Sequence, residues 1–440
     1  MKTKEFIQKC SCVLVLLFFF SIGTAQLMPK PAEAQQEPIV LIGGTIHTAT
    51  GEVIDNGALA FADGKISFVG KASDPAFDAS GYNSIEVRGQ HLYPGLILPN
   101  SLIGIEEISG VPQSNDKFEE GSINPGLKSF YAFDTGSGHI PTLRYTGILM
   151  VETIPSGGTI SGTSAVMELD GWSWQEAVHK KEAAVHLHWP SSLSRSYDSD
   201  TKTTKIKNRG AYENKVQELE ALFVAAQSYG KLKNRPSNLK LEALQGLFKG
   251  TKALMIHANE AKEIVESIQF AEGMGVQKIG ILTSYAALDV ADFLKSNNIP
   301  VIIPPTYNLP NMDDMDYDAH YSLPRLLSEK GIVVALSHKG MLSTSRNFPF
   351  YAGVAAAFGM DKEEALKLVS LNPAKILGID GRVGSLEVGK DATFFVSMGD
   401  ALDIMDNSLT HAFIRGKNIT LDGPHQELYL RYSKKFGQEH

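Results

Sequence analysis

The sequence predicts an α/β protein, specifically a (β/α)₈ TIM-like barrel joined to a small β-sandwich built from both ends of the chain. Three observations support this prediction. Short strand candidates with glycine turns occur near both termini, while the long middle alternates strand and helix candidates. The chain has 440 residues, of which 43% are hydrophobic and 20% charged. This composition suffices for one large and one smaller domain.

The first 25 residues resemble a secretion signal. Three lysines precede an apolar run from Cys12 to Phe20, and Gly23-Thr24-Ala25 supplies small residues for cleavage. The apolar run is shorter than the roughly twenty residues that span a bilayer. We therefore predict a signal peptide over residues 1–25, a linker over 26–38, and a secreted form in the bacterial periplasm.

Charge and cysteine content exclude several kinds of chemistry. Both cysteines, Cys10 and Cys12, lie inside the predicted signal, so the mature chain has no thiol for disulfides, nucleophilic catalysis or metal binding. Removal of residues 1–25 takes away three lysines and one glutamate, which changes the net charge from −8 to −10. Nucleic acid is not an expected partner, because a polyanion needs a concentrated basic surface.

The two ends of the chain share the pattern of antiparallel hairpins. In residues 39–92, Asp63-Gly64 precedes the strand candidate that begins at Lys65, which is typical of a two-residue hairpin turn. Residues 381–424 repeat the pattern, with strand candidates ending near Val396 and beginning at His411. We predict that these segments form the two parts of the β-sandwich, and that residues 425–440 form a helical tail.

Residues 93–380 are predicted to form the barrel. Helical spacing of apolar residues occurs over Ala211–Ser228, Ala261–Met274 and Leu288–Lys295, while Ser191–Gly210 is a polar surface excursion. The eight strand candidates are His91–Leu98, Gly147–Glu152, Ser164–Leu169, Ala183–Trp189, Ala253–His257, Lys278–Thr283, Ile299–Pro304 and Ile332–Ser337. In a barrel of this kind, functional groups lie at the carboxyl ends of the strands.

Ordered motifs occur between Ile39 and Lys417. They include Pro94-Gly95-Leu96-Ile97 in the first strand candidate and the run Gly384-Ser385-Leu386-Glu387-Val388-Gly389-Lys390-Asp391-Ala392 near the end. The first motif is similar to the first barrel strand, and the second to the closing GSL-x-x-GKDA signature, of the amidohydrolase superfamily, in particular its secreted imidazolonepropionase-like branch. The resemblance implies a barrel with a sandwich, a divalent metal such as zinc, and hydrolysis of non-peptide C–N bonds in cyclic or linear amides.

The usual metal ligands of that family are absent from the first strand. The family's His-x-His positions hold Asn100 and Leu102, and a leucine side chain has no lone pair to offer a metal. The resemblance assigns the histidine after the fifth strand to His257. It places the catalytic aspartate of the eighth strand near Ser337 and His338, so the acidic group that takes a proton from metal-bound water is missing.

Remaining histidines suggest a different centre. His186 and His188 are two residues apart on a predicted strand, so their side chains share one face. With His257 they are candidate ligands for zinc at a non-standard site, and His257 and His338 are candidate catalytic residues. The alternative is that no metal binds and backbone carbonyls hold these histidines.

Glu106, Glu152 and Ser284 follow or end predicted strands and are candidate substrate-binding residues. For the glutamates, a structural role at a helix start is the alternative.

Three functions remain open from the sequence. The first is a protein that keeps the family's pocket without metal-dependent catalysis and binds a small amide-like ligand or an active amidohydrolase paralogue. The second is a C–N bond hydrolase with an altered centre. The third is a catalytically inactive assembly or scaffold component of the cell envelope. Assembly into a homo-oligomer is compatible with each of them.

Overall fold

The computed structural model describes residues 30–198, 203–310, 315–338 and 340–438. The predicted signal peptide over residues 1–25 lies outside the described residues. Within the described ranges, no helix combines the length and the apolar composition that crossing a membrane requires.

Twenty β-strands occur in the described residues. In chain order they are Ile39–His47 (β1), Val53–Ala62 (β2), Lys65–Lys71 (β3), Asn83–Glu86 (β4), His91–Pro94 (β5), Leu96–Ser101 (β6), Ile148–Thr153 (β7), Ile160–Thr163 (β8), Ala165–Glu168 (β9), Val178–Lys180 (β10), Ala184–His188 (β11), Leu193–Asp198 (β12), Thr203–Asn208 (β13), Ala253–His257 (β14), Ile279–Leu282 (β15), Val301–Ile303 (β16), Val334–Leu336 (β17), Phe394–Ser397 (β18), Leu409–Ile414 (β19) and Lys417–Asn418 (β20).

The described residues also form twelve α-helices. They are His139–Arg144 (α1), Trp174–Ala177 (α2), Tyr212–Lys231 (α3), Leu239–Phe248 (α4), Ala261–Gly273 (α5), Ala286–Asp289 (α6), Ala291–Ser296 (α7), Ala319–Glu329 (α8), Phe348–Ala357 (α9), Lys362–Lys367 (α10), Leu371–Leu377 (α11) and Pro424–Phe436 (α12).

Strands from both ends of the chain form one eight-stranded sheet, here called the terminal sheet. It contains β1–β5 and β18–β20, and β18 joins the N-terminal strands by pairing antiparallel with β5. Phe61, Phe394 and Phe413 pack together in its core, with ring centroids 4.9–5.4 Å apart. Asp63 and Gly64 both have positive φ, +50° and +74°, which confirms the predicted two-residue turn between β2 and β3.

The middle of the chain forms the α/β part of the structure. A four-stranded sheet has the order β10-β9-β7-β6, and a six-stranded sheet has the order β17-β16-β15-β14-β11-β8. Strands β11, β14, β15, β16 and β17 run parallel to one another, and helices lie between them along the chain. This arrangement confirms the predicted α/β class.

Three predicted elements differ from the structure. The predicted parallel strand Ser164–Leu169 is wrong, because β9 is antiparallel to β7 and the preceding β8 is antiparallel to β11. The polar excursion Ser191–Gly210 contains the antiparallel hairpin β12–β13. The predicted helix Leu288–Lys295 is interrupted at Val290, whose backbone is not helical, and divides into α6 and α7.

The two central sheets share an apolar interior. Ile97 and Met150 from the four-stranded sheet pack in one buried cluster with Met255, Ile302 and Ala335 from the six-stranded sheet. Side chains alternate along each strand, so the residues two positions beyond this layer point to the same side. This alternation sets Glu152 above Met150 and His257 above Met255, at the carboxyl ends of their strands.

Packing of α9 against the loop after β18 gives a test of the fold. A Cβ atom on Gly353 would lie 2.1 Å from the backbone oxygen of Leu402, a distance that real contacts do not reach. We therefore expect Gly353→Ala to lower the free energy of unfolding by about 1–3 kcal/mol, although alanine normally favours a helix.

Gly273, the last residue of α5, provides the matched control, since a Cβ there meets no atom within 4 Å. Gly273→Ala should leave stability unchanged or raise it. Urea unfolding monitored by circular dichroism measures both variants. Equal stability of Gly353→Ala and the wild type would contradict this packing.

Candidate functional site

Four side chains meet at the carboxyl ends of three strands, and we call Glu152, His186, His188 and His257 the strand-end cluster. Glu152 lies near the end of β7, the two histidines of β11 lie beside it, and His257 ends β14. Strands β11 and β14 are parallel, with His188 paired in register with His257. The strand pairing therefore brings together two histidines that are 69 positions apart in sequence.

Hydrogen bonds join three of these side chains in a line. His186 Nε2 lies 3.1 Å from Glu152 Oε1, and His186 Nδ1 lies 3.1 Å from His257 Nε2. If His186 Nε2–H donates to the carboxylate, two arrangements are open to His186 Nδ1. In a neutral ring Nδ1 accepts a hydrogen bond from His257 Nε2–H, and in the imidazolium form it donates a hydrogen bond to His257 Nε2. Either arrangement satisfies both ring nitrogens of His186.

Glu152 is the buried, charged end of this line, with no exposed surface. Burial raises the pKa of this carboxyl. The charge of His186 and hydrogen bonds from His186, Ser164 Oγ at 2.7 Å and the backbone N–H of Asn100 at 3.1 Å lower it by more, so the pKa lies below the ordinary value. Three donors hold the carboxylate in its charged form.

Asn100 takes part through its backbone. Its φ of +55° places it in the left-handed region, which asparagine tolerates better than most residues. The Asn100 N–H donates to Glu152 Oε2. The sparsely populated backbone conformation of Asn100 therefore occurs where its N–H supports the buried carboxylate of Glu152.

The two more exposed members of the cluster lie against each other. The rings of His188 and His257 stack with centroids 4.1 Å apart, and both residues are half-buried while His186 is fully buried. The cluster thus has a buried end at Glu152 and a more accessible end at His188 and His257.

His338 follows β17 and is bonded elsewhere. Its Nδ1 lies 2.8 Å from the Tyr351 hydroxyl, and its Nε2 lies 3.1 Å from the Met341 carbonyl. Burial lowers the pKa of His338, while the bond to the Met341 carbonyl opposes this shift. Burial and the nearby Tyr307 raise the pKa of Tyr351 to about 12, so its hydroxyl stays protonated and donates to His338.

The other candidate substrate-binding residues have separate positions. Glu106 is buried in the loop after β6 and forms a 2.6 Å ion pair with Lys117. Ser284 is half-buried after β15, where its carbonyl accepts a hydrogen bond from Ala287 N–H. Only Glu152 of the three predicted binding residues joins the strand-end cluster.

Sequence reasoning missed Ser164 and Tyr351, and it treated Asn100 only as a replaced ligand. Ser164 reaches Glu152 because β9 folds back antiparallel beside β7. Tyr351 reaches His338 from α9. No local sequence pattern marks such contacts, since each depends on how distant elements pack.

The fold and the site define a class of α/β proteins with polar groups at the carboxyl ends of parallel strands. The sequence profile of the amidohydrolase family matches residues 175–419, which is more than half of the chain. The protein belongs to the amidohydrolase family.

Known relatives agree with this assignment. The chain is 30% identical to imidazolonepropionase from Syntrophobacter fumaroxidans over 169 residues, which are 38% of this chain and 37% of that protein. It is 24% identical to imidazolonepropionase from Symbiobacterium thermophilum over 370 residues, 77% of this chain and 83% of that protein. The chain spans about a third of the length of the first two curated relatives that it matches.

A solved structure shares the fold. An amidohydrolase from Thermotoga maritima MSB8 aligns with a TM-score of 0.75 at 21% identity, covering 87% of this chain and 99% of the other. At this level of identity the similarity concerns the fold.

The side chains present do not fit the metal centre that the family commonly uses. The resemblance in sequence predicts Asn100 and Leu102 at the His-x-His positions, and a leucine side chain cannot bind a metal. In the part of the chain that the structure describes, no three histidine, cysteine, aspartate or glutamate side chains are arranged to hold a metal ion. His186 Nδ1 and His257 Nε2 face each other instead. The zinc site at His186, His188 and His257 stays a prediction.

Replacement of Glu152 tests the buried charge. We expect Glu152→Gln to lower the free energy of unfolding by about 1.5–3 kcal/mol at pH 7, because it weakens charge-assisted hydrogen bonds. A folded-state pKa below the ordinary 4.5 stabilises the protein above pH 4.5. This contribution disappears as the pH falls through the folded-state pKa, so wild type and variant should converge in acid.

Urea unfolding between pH 7 and pH 3 measures the effect. Glu119→Gln, at an exposed position, serves as the control for loss of one acidic group and should change stability little. A stability difference between wild type and Glu152→Gln that stays constant with pH would argue against a charged Glu152.

Proposed function

We propose that this protein is a secreted, periplasmic member of the amidohydrolase family that binds a small cyclic or linear amide at the strand-end cluster without the family's usual metal-dependent hydrolysis. One observation carries the proposal: the 3.1 Å contact between His186 Nδ1 and His257 Nε2 directs these nitrogens toward each other. By the resemblance in sequence, Asn100 and Leu102 take the place of the two metal-binding histidines on the family's first barrel strand.

The architecture behind the proposal is a closed (β/α)₈ barrel with the terminal sheet as its β-sandwich. Two features support closure between β6 and β17. Ile97 N–H of β6 donates to the Val369 carbonyl, and Leu336 N–H of β17 donates to the adjacent Leu368 carbonyl. Both strands therefore bond to one short segment, and their inward side chains share the buried interior cluster.

The chemistry of the accessible end suits an amide. A neutral imidazole has one donor and one acceptor nitrogen, which complements the N–H and C=O groups of an amide. His188 and His257 are half-buried at the carboxyl ends of neighbouring parallel strands, where ligands bind in this class of fold.

A second candidate function is C–N bond hydrolysis by an altered centre, which the line from Glu152 through His186 to His257 favours. In this scheme His257 accepts a proton from water, and the resulting hydroxyl adds to the amide carbonyl carbon. The C–N bond then breaks, and the proton passes from His257 to the leaving nitrogen. Glu152 and His186 orient His257 and stabilise its charged form.

The first candidate function, amide binding without hydrolysis, suggests which proteins this chain would act with. A chain that binds an amide without cleaving it would act beside an active amidohydrolase paralogue or as an inactive component of the cell envelope, and it would assemble as a homo-oligomer. Light scattering of the purified protein measures the assembly, and co-purification with the paralogue measures the partnership.

Metal content and ligand binding test the proposal together. We expect purified protein to contain less than about 0.1 zinc per chain, and to bind hydantoin or 2-pyrrolidinone in calorimetry without releasing hydrolysis product. We expect His257→Ala to weaken this binding about tenfold or more, because the imidazole contacts the amide directly. Mass spectrometry measures metal and chromatography measures product.

His411→Ala, which removes a histidine from β19 in the terminal sheet, is the matched control and should leave binding unchanged. Stoichiometric zinc with zinc-dependent product formation would overturn the proposal. Product formation by the metal-free protein, lowered about 10²-fold or more in Glu152→Gln, would instead support the second candidate.

A further inference from the structure

The last helix, α12, carries an apolar face that the rest of the described chain does not cover. It spans Pro424–Phe436, and none of its residues is buried. His425, Leu428, Tyr429, Tyr432 and Phe436 follow the three- and four-residue spacing that aligns side chains along one side of a helix. Leu428 is 45% exposed, Tyr432 56% and Phe436 65%.

The start of α12 lies against α1. Gly423 packs closely against Pro141 of α1, and Pro424 and Glu427 line a cavity of about 140 Å³ together with Arg144. The apolar side chains Leu428, Tyr432 and Phe436 are exposed in the later turns. The apolar face is therefore available to a binding partner without rearrangement of the core.

The later part of α12 is positively charged, whereas the whole chain is negatively charged. The nine residues from Leu428 to Phe436 contain Arg431, Lys434 and Lys435 and no acidic residue, whereas the chain has a net charge of −8. Lys435 Nζ lies 5.5 Å from the centre of the Phe436 ring. Aromatic and aliphatic side chains on one face, bordered by basic side chains, are typical of helices that lie on membrane surfaces.

We propose that α12 docks this protein onto an anionic phospholipid surface, with the face formed by Leu428, Tyr432 and Phe436 entering the lipid and with Arg431 and Lys435 contacting phosphate groups. This inference does not depend on the proposed ligand or reaction. Thirteen residues give a helix about 20 Å long, which suits a position in the plane of the interface.

The same face is a poor match for a second copy of the chain. The helix midpoint is residue 430, so a two-fold axis through the helix brings the two Arg431 side chains close together. Like charges at the centre of an interface oppose association. An anionic bilayer instead pairs with both Arg431 and Lys435 at once.

Vesicle co-sedimentation tests the proposal with the secreted form of the protein. We expect at least about tenfold stronger binding to vesicles of equal phosphatidylglycerol and phosphatidylcholine than to phosphatidylcholine alone, with the binding weakened by salt. The double variant Leu428→Ser/Tyr432→Ser and the double variant Arg431→Glu/Lys435→Glu should each lose about tenfold or more.

Leu430→Ser is the matched control. Leu430 is 65% exposed on the same helix, and it lies two residues from both Leu428 and Tyr432, so it points to the opposite side. Its substitution should change binding less than about twofold. All variants share one N-terminus, so any lipid affinity of that segment contributes equally to each measurement. Unchanged thermal unfolding verifies that each variant folds.

Three results would overturn the proposal. The first is no binding to anionic vesicles, and the second is an equal loss in Leu430→Ser. The third is a dimer in light scattering that Leu428→Ser/Tyr432→Ser converts to a monomer, because this result would assign the apolar face to self-association.

Discussion

A charged carboxylate without solvent contact constrains the central part of this protein. Moving a carboxylate from water into a protein interior costs several kcal/mol unless hydrogen bonds and a nearby positive charge offset the loss. Glu152 satisfies this requirement with Ser164, His186 and the backbone N–H of Asn100. Orientation of His186 toward Glu152 in turn directs its other nitrogen toward His257. The left-handed backbone of Asn100 belongs to the same arrangement.

This hydrogen-bonded line engages the polar groups at the strand ends with one another. The backbone N–H of Asn100, at the end of β6, supports the Glu152 carboxylate. The polar groups at the strand ends therefore satisfy one another. His188 and His257 lie at the half-buried end of the cluster, where the neighbouring parallel strands β11 and β14 end.

The terminal sheet and the last helix differ in where their apolar side chains lie. Residues before Pro94 and after Phe394 combine in the terminal sheet, where phenylalanine rings from distant segments form a common core. Immediately after this sheet, the chain places its apolar residues on the outside of α12 rather than in a core. Apolar side chains with basic neighbours on an exposed helix serve an interface better than they serve folding. The strand-end cluster and the apolar face of α12 are thus formed by different parts of the chain.

The sequence by itself determined the α/β class, the hairpin at Asp63-Gly64 and the family, because periodicity, turn chemistry and ordered motifs are local properties. Only the tertiary structure decided the reversed direction of β9, the contact of Ser164 with Glu152, and the bonding of His338 to Tyr351. These features depend on strand pairing and helix packing between residues far apart in the chain. A side chain's type is visible in sequence, whereas its partner is set by the elements that fold beside it.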